Sequence, residues 1–141
     1  MKITDLMIGD FFSFNGNKYK IEDIKKCGAI HIEYYPEGGR VELNSDFILE
    51  DLNPIPLTYK ILEKNGFSGE AYMTLDLDDS SYLEYYGFEG RLRKIWNGVD
   101  EWNNHSADRD ITFQCHCKYV HELQHALRWC GLDELADKFK I

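Results

Sequence analysis

The chain has 141 residues, 43% hydrophobic and 14% aromatic, which suits one compact core or two small modules sharing a boundary and is too apolar for a disordered chain. It carries 16 Lys plus Arg against 25 Asp plus Glu, a net charge of −9, spread evenly as 6 against 10 up to Leu57 and 10 against 15 beyond it. With no basic stretch set apart, direct binding to nucleic acid or to an anionic membrane is disfavoured; the acidity reads first as solubility and only second as a DNA-mimicking face.

The opening MKITDLMIGDFF lacks a basic segment followed by an apolar run, and no later stretch approaches the roughly 20 apolar residues needed to span a bilayer, so a cytoplasmic protein is expected. From Phe11 to Leu57 the pattern is of short strands: FFSF, a turn at Asn15-Gly16-Asn17, KYKIEDI, a break at Cys27-Gly28, AIHIEYY, the turn PEGG, and RVELN. Tyr19 and Ile21 alternate with Lys18, Lys20 and Glu22; Ile30, Ile32 and Tyr34 with His31 and Glu33; Val41 and Leu43 with Arg40 and Glu42. Four or five such strands in about 55 residues predict an SH3-like barrel, whose closure hides its edges.

Pro54 and Pro56 then punctuate the chain. Thr58 is placed to cap a short helix, YKILEKN, which Gly66 ends. Strand-like segments follow, EAYMTLDL, SYLEYYGF, RLRKIW and ITFQCHC, separated by DDSS, GFEG and the polar loop NGVDEWNNHSADRD. Asp76, Asp78 and Asp79 read as an acidic turn, since the run has neither the glycine nor the terminal glutamate of an EF-hand loop. Trp96 and Trp102 flank NGVDE, where a tryptophan more often covers its own sheet edge than anchors a partner.

The last third holds the strongest helix. At about 100° per residue, Tyr119, Leu123, Ala126, Leu127 and Cys130 share a core-facing direction, and His121, His125 and Arg128 point almost opposite. Trp129 lies near that polar side and is expected to pack under the N-terminal barrel. Gly131 ends the helix, and DELADKF supplies a second short one.

His121-Glu122-Leu123-Gln124-His125 spells the helix-borne zinc-hydrolase pattern: two imidazoles on one face to hold a metal, and a glutamate to take a proton from its bound water. In a chain of this composition a chance match arises about one or two times in a hundred, so the letters alone do not decide. A catalytic zinc also needs a third protein ligand. Only 16 residues follow His125, leaving Asp133, Glu134 and Asp137 as downstream carboxylates. Arg128 stands where the metzincin glycine would be, and Gly131 where its third histidine would be. Upstream, Cys115 and Cys117 could complete a Cys₂His₂ set with His121 and His125, but their phase with Ile111 and Phe113 puts them on the core face as small apolar residues. The four cysteines, Cys27, Cys115, Cys117 and Cys130, are too few and too uneven for a disulfide framework and are read as reduced.

Three segments carry a resemblance: DLMIGDFF at the start, Ile55 to Thr58 with Gly66-Phe67 in the middle, and His121, Leu123 and Gln124 in the terminal helix. They resemble a family of small uncharacterised bacterial proteins found in prophages and mobile elements. The likeness spans most of the chain and names no activity. It implies that Glu122 and His125 are not fixed members of the pattern, which weighs against a hydrolase.

The sequence therefore predicts an α+β protein with an SH3-like barrel module over residues 1–57, followed over 58–141 by a short helix, antiparallel strands and a closing helix. The expected function is a non-enzymatic accessory or protein-interaction role in a phage or mobile element, with protein as partner and no cofactor. The competing readings are a zinc-dependent hydrolase, with His121 and His125 as ligands, Glu122 as base and Cys115, Cys117 or Glu134 completing the site, and an acidic DNA-mimic inhibitor.

Overall fold

A computed structural model of the chain describes residues 7–14, 16–24, 30–35, 38–43, 52–78, 80–96 and 110–141. The architecture is α+β, with two antiparallel sheets and three short helices among the described residues. The first sheet comprises β1 (Phe11–Phe14), β2 (Asn17–Ile24), β3 (Ile30–Tyr35), β4 (Arg40–Leu43) and the two-residue β5 (Asn53–Pro54), in the order β4-β3-β2-β1-β5. It does not close into a barrel among the described residues: β4 and β5 stand at opposite edges. The alternation read from the sequence sets the faces. Tyr19, Ile21 and Ile32 are buried, and Lys20 and Glu33, which pair across β2 and β3, lie on the other side. Tyr34 departs from the pattern and is partly exposed, its ring tilted at 50° against Tyr19 with centroids 4.7 Å apart.

The proline-punctuated stretch is not a loose connection. Asn53 and Pro54 pair with Ser13 and Phe12 of β1. Just beyond, Leu57 N–H donates to Lys118 O and Ile55 O accepts from Val120 N–H, both at 2.9 Å. The segment is thus stitched to the first sheet on one side and to the start of the helix that begins at Val120 on the other. Then α1 (Tyr59–Lys64) begins, with Thr58 Oγ1 accepting from Ile61 N–H as its N-cap, and ends before Gly66, whose φ of +91° suits glycine.

The second sheet runs β6 (Met73–Asp76), β7 (Ser81–Tyr86), β8 (Arg91–Trp96) and β9 (Asp110–His116), all antiparallel neighbours. Its inner face presents Met73, Leu83, Tyr85 and Leu92 to α2 (Val120–Trp129). Val120, Leu123, Ala126 and Leu127 of α2 are all buried there, as the 3.6-residue period predicts. Each large apolar side chain removed from water contributes about 1.5–3 kcal/mol. Helix α3 (Asp133–Asp137) and the terminal Phe139 and Ile141 close the same core, which also takes in Leu62 and Phe67 around α1 and Phe11 from β1. Asn65 fastens the end of the chain: its side-chain amide donates to Lys140 O and accepts from Lys140 N–H, each at 2.8 Å. No helix among the described residues is long and apolar enough to cross a membrane.

Candidate functional site

The side of α2 that the helical period assigns to solvent is a second buried face. Gln124 and Asp10 are both 0% exposed. Gln124 Oε1 accepts from Phe11 N–H at 3.1 Å, while its Nε2 donates to Gly9 O at 2.8 Å and approaches Ala136 O at 3.5 Å. One amide thus clasps the lead-in to β1 against α2 and α3. Asp10 supplies the second half of the clasp. Its Oδ2 accepts from Met7 N–H and from His125 Nε2–H, both at 2.7 Å, and its Oδ1 accepts from Arg128 Nη1 at 3.4 Å. Arg128 Nη2 reaches on to Ile8 O at 3.0 Å and Asp137 at 3.6 Å. A buried carboxylate is tolerable only with this many donors. Gly9 is fixed by the same arrangement: its φ is +94°, and a Cβ there would lie 2.7 Å from Arg128 Nη2.

The hydrolase-like letters therefore fall to separate tasks. Glu122 Oε1 accepts from Lys118 N–H and Tyr119 N–H, each at 3.1 Å, capping the first turn of α2 at the positive end of its dipole. His125 faces Asp10, and His121 lies between Tyr119 and His125 in a ladder of rings at 6.0 and 5.7 Å. The ladder continues to Trp129 at 6.2 Å. Trp129 does not pack under the first sheet, as its register suggested, but is 66% exposed. The expected third ligands lie elsewhere. Glu134 is ion-paired with Lys138 at 2.6 Å on the exposed side of α3, which holds its carboxyl below the usual range. Cys115 and Cys117 face each other at 3.5 Å between sulfurs, with Cys117 buried in the core. Among the described residues no group of three or more His, Cys, Asp or Glu side chains is placed to hold a metal ion.

Other sequence candidates are placed as follows. Asp78 accepts from Ser80 N–H at 2.8 Å and Ser80 Oγ at 3.1 Å in an acidic turn, while Asp79 lies outside the described residues. Trp96 is half-buried at the end of β8, and Trp102, Cys27 and the turn at Cys27-Gly28 lie outside the described residues. An open groove of about 430 Å³ runs between β6 and α3, walled by Leu75, Leu77, Leu132 and Leu135.

A feature that sequence reading missed lies at the opposite end of the second sheet. Tyr72 and Tyr86 stack at 5.0 Å, and Tyr86 meets Phe88 at 6.2 Å, forming a row of aromatic rings. Tyr72 is 50% exposed and Phe88 89%. Tyr59 of α1 holds the row from beneath, its Oη donating to Ala71 O at 3.1 Å and accepting from Gly87 N–H at 3.2 Å. Those two backbone groups adjoin Tyr72 and Phe88, so both rings are set by one phenol. The fit at Gly87 is close, since a Cβ there would stand 2.5 Å from the Tyr59 ring. The sequence signal was available in YYGFEG, where aromatics flank a turn with no apolar alternation to bury them. Compared with protein-family models, curated proteins and solved structures, the chain gives no match.

Proposed function

We propose that this protein is a non-enzymatic interaction module, an accessory protein of a phage or mobile element, that engages a partner protein through the Tyr72–Tyr86–Phe88 row. The observation that carries this reading is the near-complete exposure of Phe88 in a row whose geometry Tyr59 fixes. Rigid, exposed aromatics lose little entropy on binding and supply large contact area, which is why they dominate interface energetics. The net charge of −9 favours a contact segment that is apolar at its centre and basic at its flanks. The order β4-β3-β2-β1-β5, four strands in a meander with the fifth returning beside the first, supports reading the N-terminal sheet as an SH3-like module. The engagement of Glu122 in capping and of His125 with Asp10 weighs for binding over zinc hydrolysis.

The test compares three forms of protein purified without chelator or histidine tag: wild type, Tyr72→Ser/Phe88→Ser and His121→Ala. Each is used to capture proteins from bacterial lysate at low salt and is analysed for metal. A defined partner lost with the aromatic double variant and kept with His121→Ala is expected. Stoichiometric zinc that disappears with His121→Ala would replace this reading with the hydrolase, and capture of a DNA-binding protein indifferent to the aromatic change would replace it with the acidic mimic.

A further inference from the structure

We infer that Cys115 and Cys117 form a reversible thiol–disulfide pair that exchanges with small disulfides, Cys115 as the attacking thiol and Cys117 as the resolving one. The inference is independent of the aromatic row. The two sulfurs lie 3.5 Å apart, already in contact, across His116, the last residue of β9. Cys115 is half-buried and reachable, whereas Cys117 is buried behind it. That division of exposure suits one thiol that meets an external disulfide and one that resolves the product.

Residues two apart on a full strand are separated by about 6.4–6.8 Å, at the upper limit of the Cα separations that a disulfide bridges. The bond therefore closes only where the backbone can leave full extension. This site allows it, because Cys117 stands beyond the end of β9 in the connection to α2. A ring closed over one intervening residue is strained, and strain raises the reduction potential, so the bond is labile rather than structural. The thiol of Cys117 hydrogen-bonds the sulfur of Cys115, which draws Cys115 toward the thiolate and holds the Cys117 proton more tightly. Cys130 differs: burial pushes its thiol up to about 11, leaving it protonated and slow.

In the first step the Cys115 thiolate attacks one sulfur of a disulfide R–S–S–R; the S–S bond breaks, a Cys115–S–S–R mixed disulfide forms, and RS⁻ leaves and takes up the proton lost by Cys115. In the second, the Cys117 sulfur gives up its proton to solvent and attacks Cys115 Sγ, expelling the second RS⁻, which is protonated in turn. Two protein thiols are oxidised and one small disulfide is reduced to two thiols. The contraction acts on Cys117, whose N–H donates to Gly90 O at 2.6 Å and whose carbonyl accepts from Tyr85 Oη at 2.8 Å.

The full chain is equilibrated in buffers of graded reduced and oxidised glutathione, quenched with acid, alkylated, digested and mapped by mass spectrometry. The expected result in wild type is a peptide lacking two hydrogens, linked Cys115 to Cys117 and restored by reductant. Cys117→Ser should accumulate glutathione on Cys115, and folded Cys115→Ser should take up none at Cys117. The inference is overturned if wild type carries stable glutathione on Cys115 as Cys117→Ser does, if no thiol reacts, or if the bond includes Cys27 or Cys130. Should either variant fail to fold by circular dichroism, the wild-type map alone decides.

Discussion

Replacing Gln124 with leucine isolates the clasp between the two ends of the chain. Leucine has nearly the volume of glutamine, so little cavity opens; what is lost is hydrogen bonding. Phe11 N–H and Gly9 O are left without their partner in a place water does not reach. Each stranded group costs about 1–3 kcal/mol, so the pair costs about 4 kcal/mol at mid-range, and setting leucine's own favourable burial of about 1.5–3 kcal/mol against it leaves about 1–2.5 kcal/mol. With a urea slope of about 2 kcal/mol/M, the unfolding midpoint should fall by about 0.5–1.2 M without a change in slope. Gln124→Glu makes a sharper version. Its protonated carboxyl can still donate to Gly9 O and its ionised form cannot, and burial raises its folded pKa above the unfolded value. Its stability should therefore be best preserved at low pH and lost as pH rises through the raised pKa. A Gln124→Leu midpoint within about 0.25 M of wild type would refute the reasoning, because it would mean that the two backbone groups find other partners or that α2 and the lead-in to β1 do not meet.

Three further outcomes follow from the same contacts. Glu122→Ala removes the acceptor of two N–H groups at the start of α2 and should cost about 1 kcal/mol in urea unfolding, whereas a catalytic base could be removed with no stability loss. Gly87→Ala drives a methyl group against the Tyr59 ring, so thermal unfolding should move down by the equivalent of about 1–3 kcal/mol and the partner of the aromatic row should bind less tightly. The phenol of Tyr85, pushed up to about 12 from its ordinary value of 10 chiefly by burial, titrates higher in the folded state than in the unfolded one. Its contribution is thus fully present below about pH 10 and is lost as pH rises toward about 12; urea midpoints over that interval should fall more steeply in wild type than in Tyr85→Phe.

The strands and helices were legible wherever one periodicity governed one buried surface. Tyr19, Ile21 and Ile32, or Val120, Leu123 and Leu127, each declare their face because a side chain has only one apolar place to go. Ile111 shows where this fails. Lys94 and Ile95 of β8 pair with Phe113 and Ile111, so Thr112 is an extra residue in β9 that shifts the register, and Ile111 is exposed although it is in sequence phase with the inward-facing Phe113 and Cys115. Nothing in the letters announces an extra residue in a ladder. The closed barrel was a different kind of expectation, resting on the cost of free edges, and the short β5 meets part of that cost by pairing with β1 while the next residues turn to the helix.

The polar face of α2 was only partly legible, for a more instructive reason. A helical wheel knows a single partner surface and assigns whatever is polar to water, so a helix with two buried sides looks amphipathic when the second side is polar. Gln124, His125 and Arg128 are polar because their partners are the backbone of Ile8, Gly9 and Phe11 and the carboxylate of Asp10, none of which an apolar side chain could satisfy. The same geometry decides how the paired histidines are read. To ligate a metal through Nε2, His125 would have to give up both its proton and its bond to Asp10, and the carboxylate would then depend on Arg128 and Met7 N–H. His125→Gln, whose side-chain amide nitrogen takes the place of Nε2 and can still donate to Asp10, should accordingly lose less stability than His125→Leu, which cannot donate at all. Equal losses would place the value of His125 in its ring contacts with His121 and Trp129 rather than in the proton it holds against Asp10.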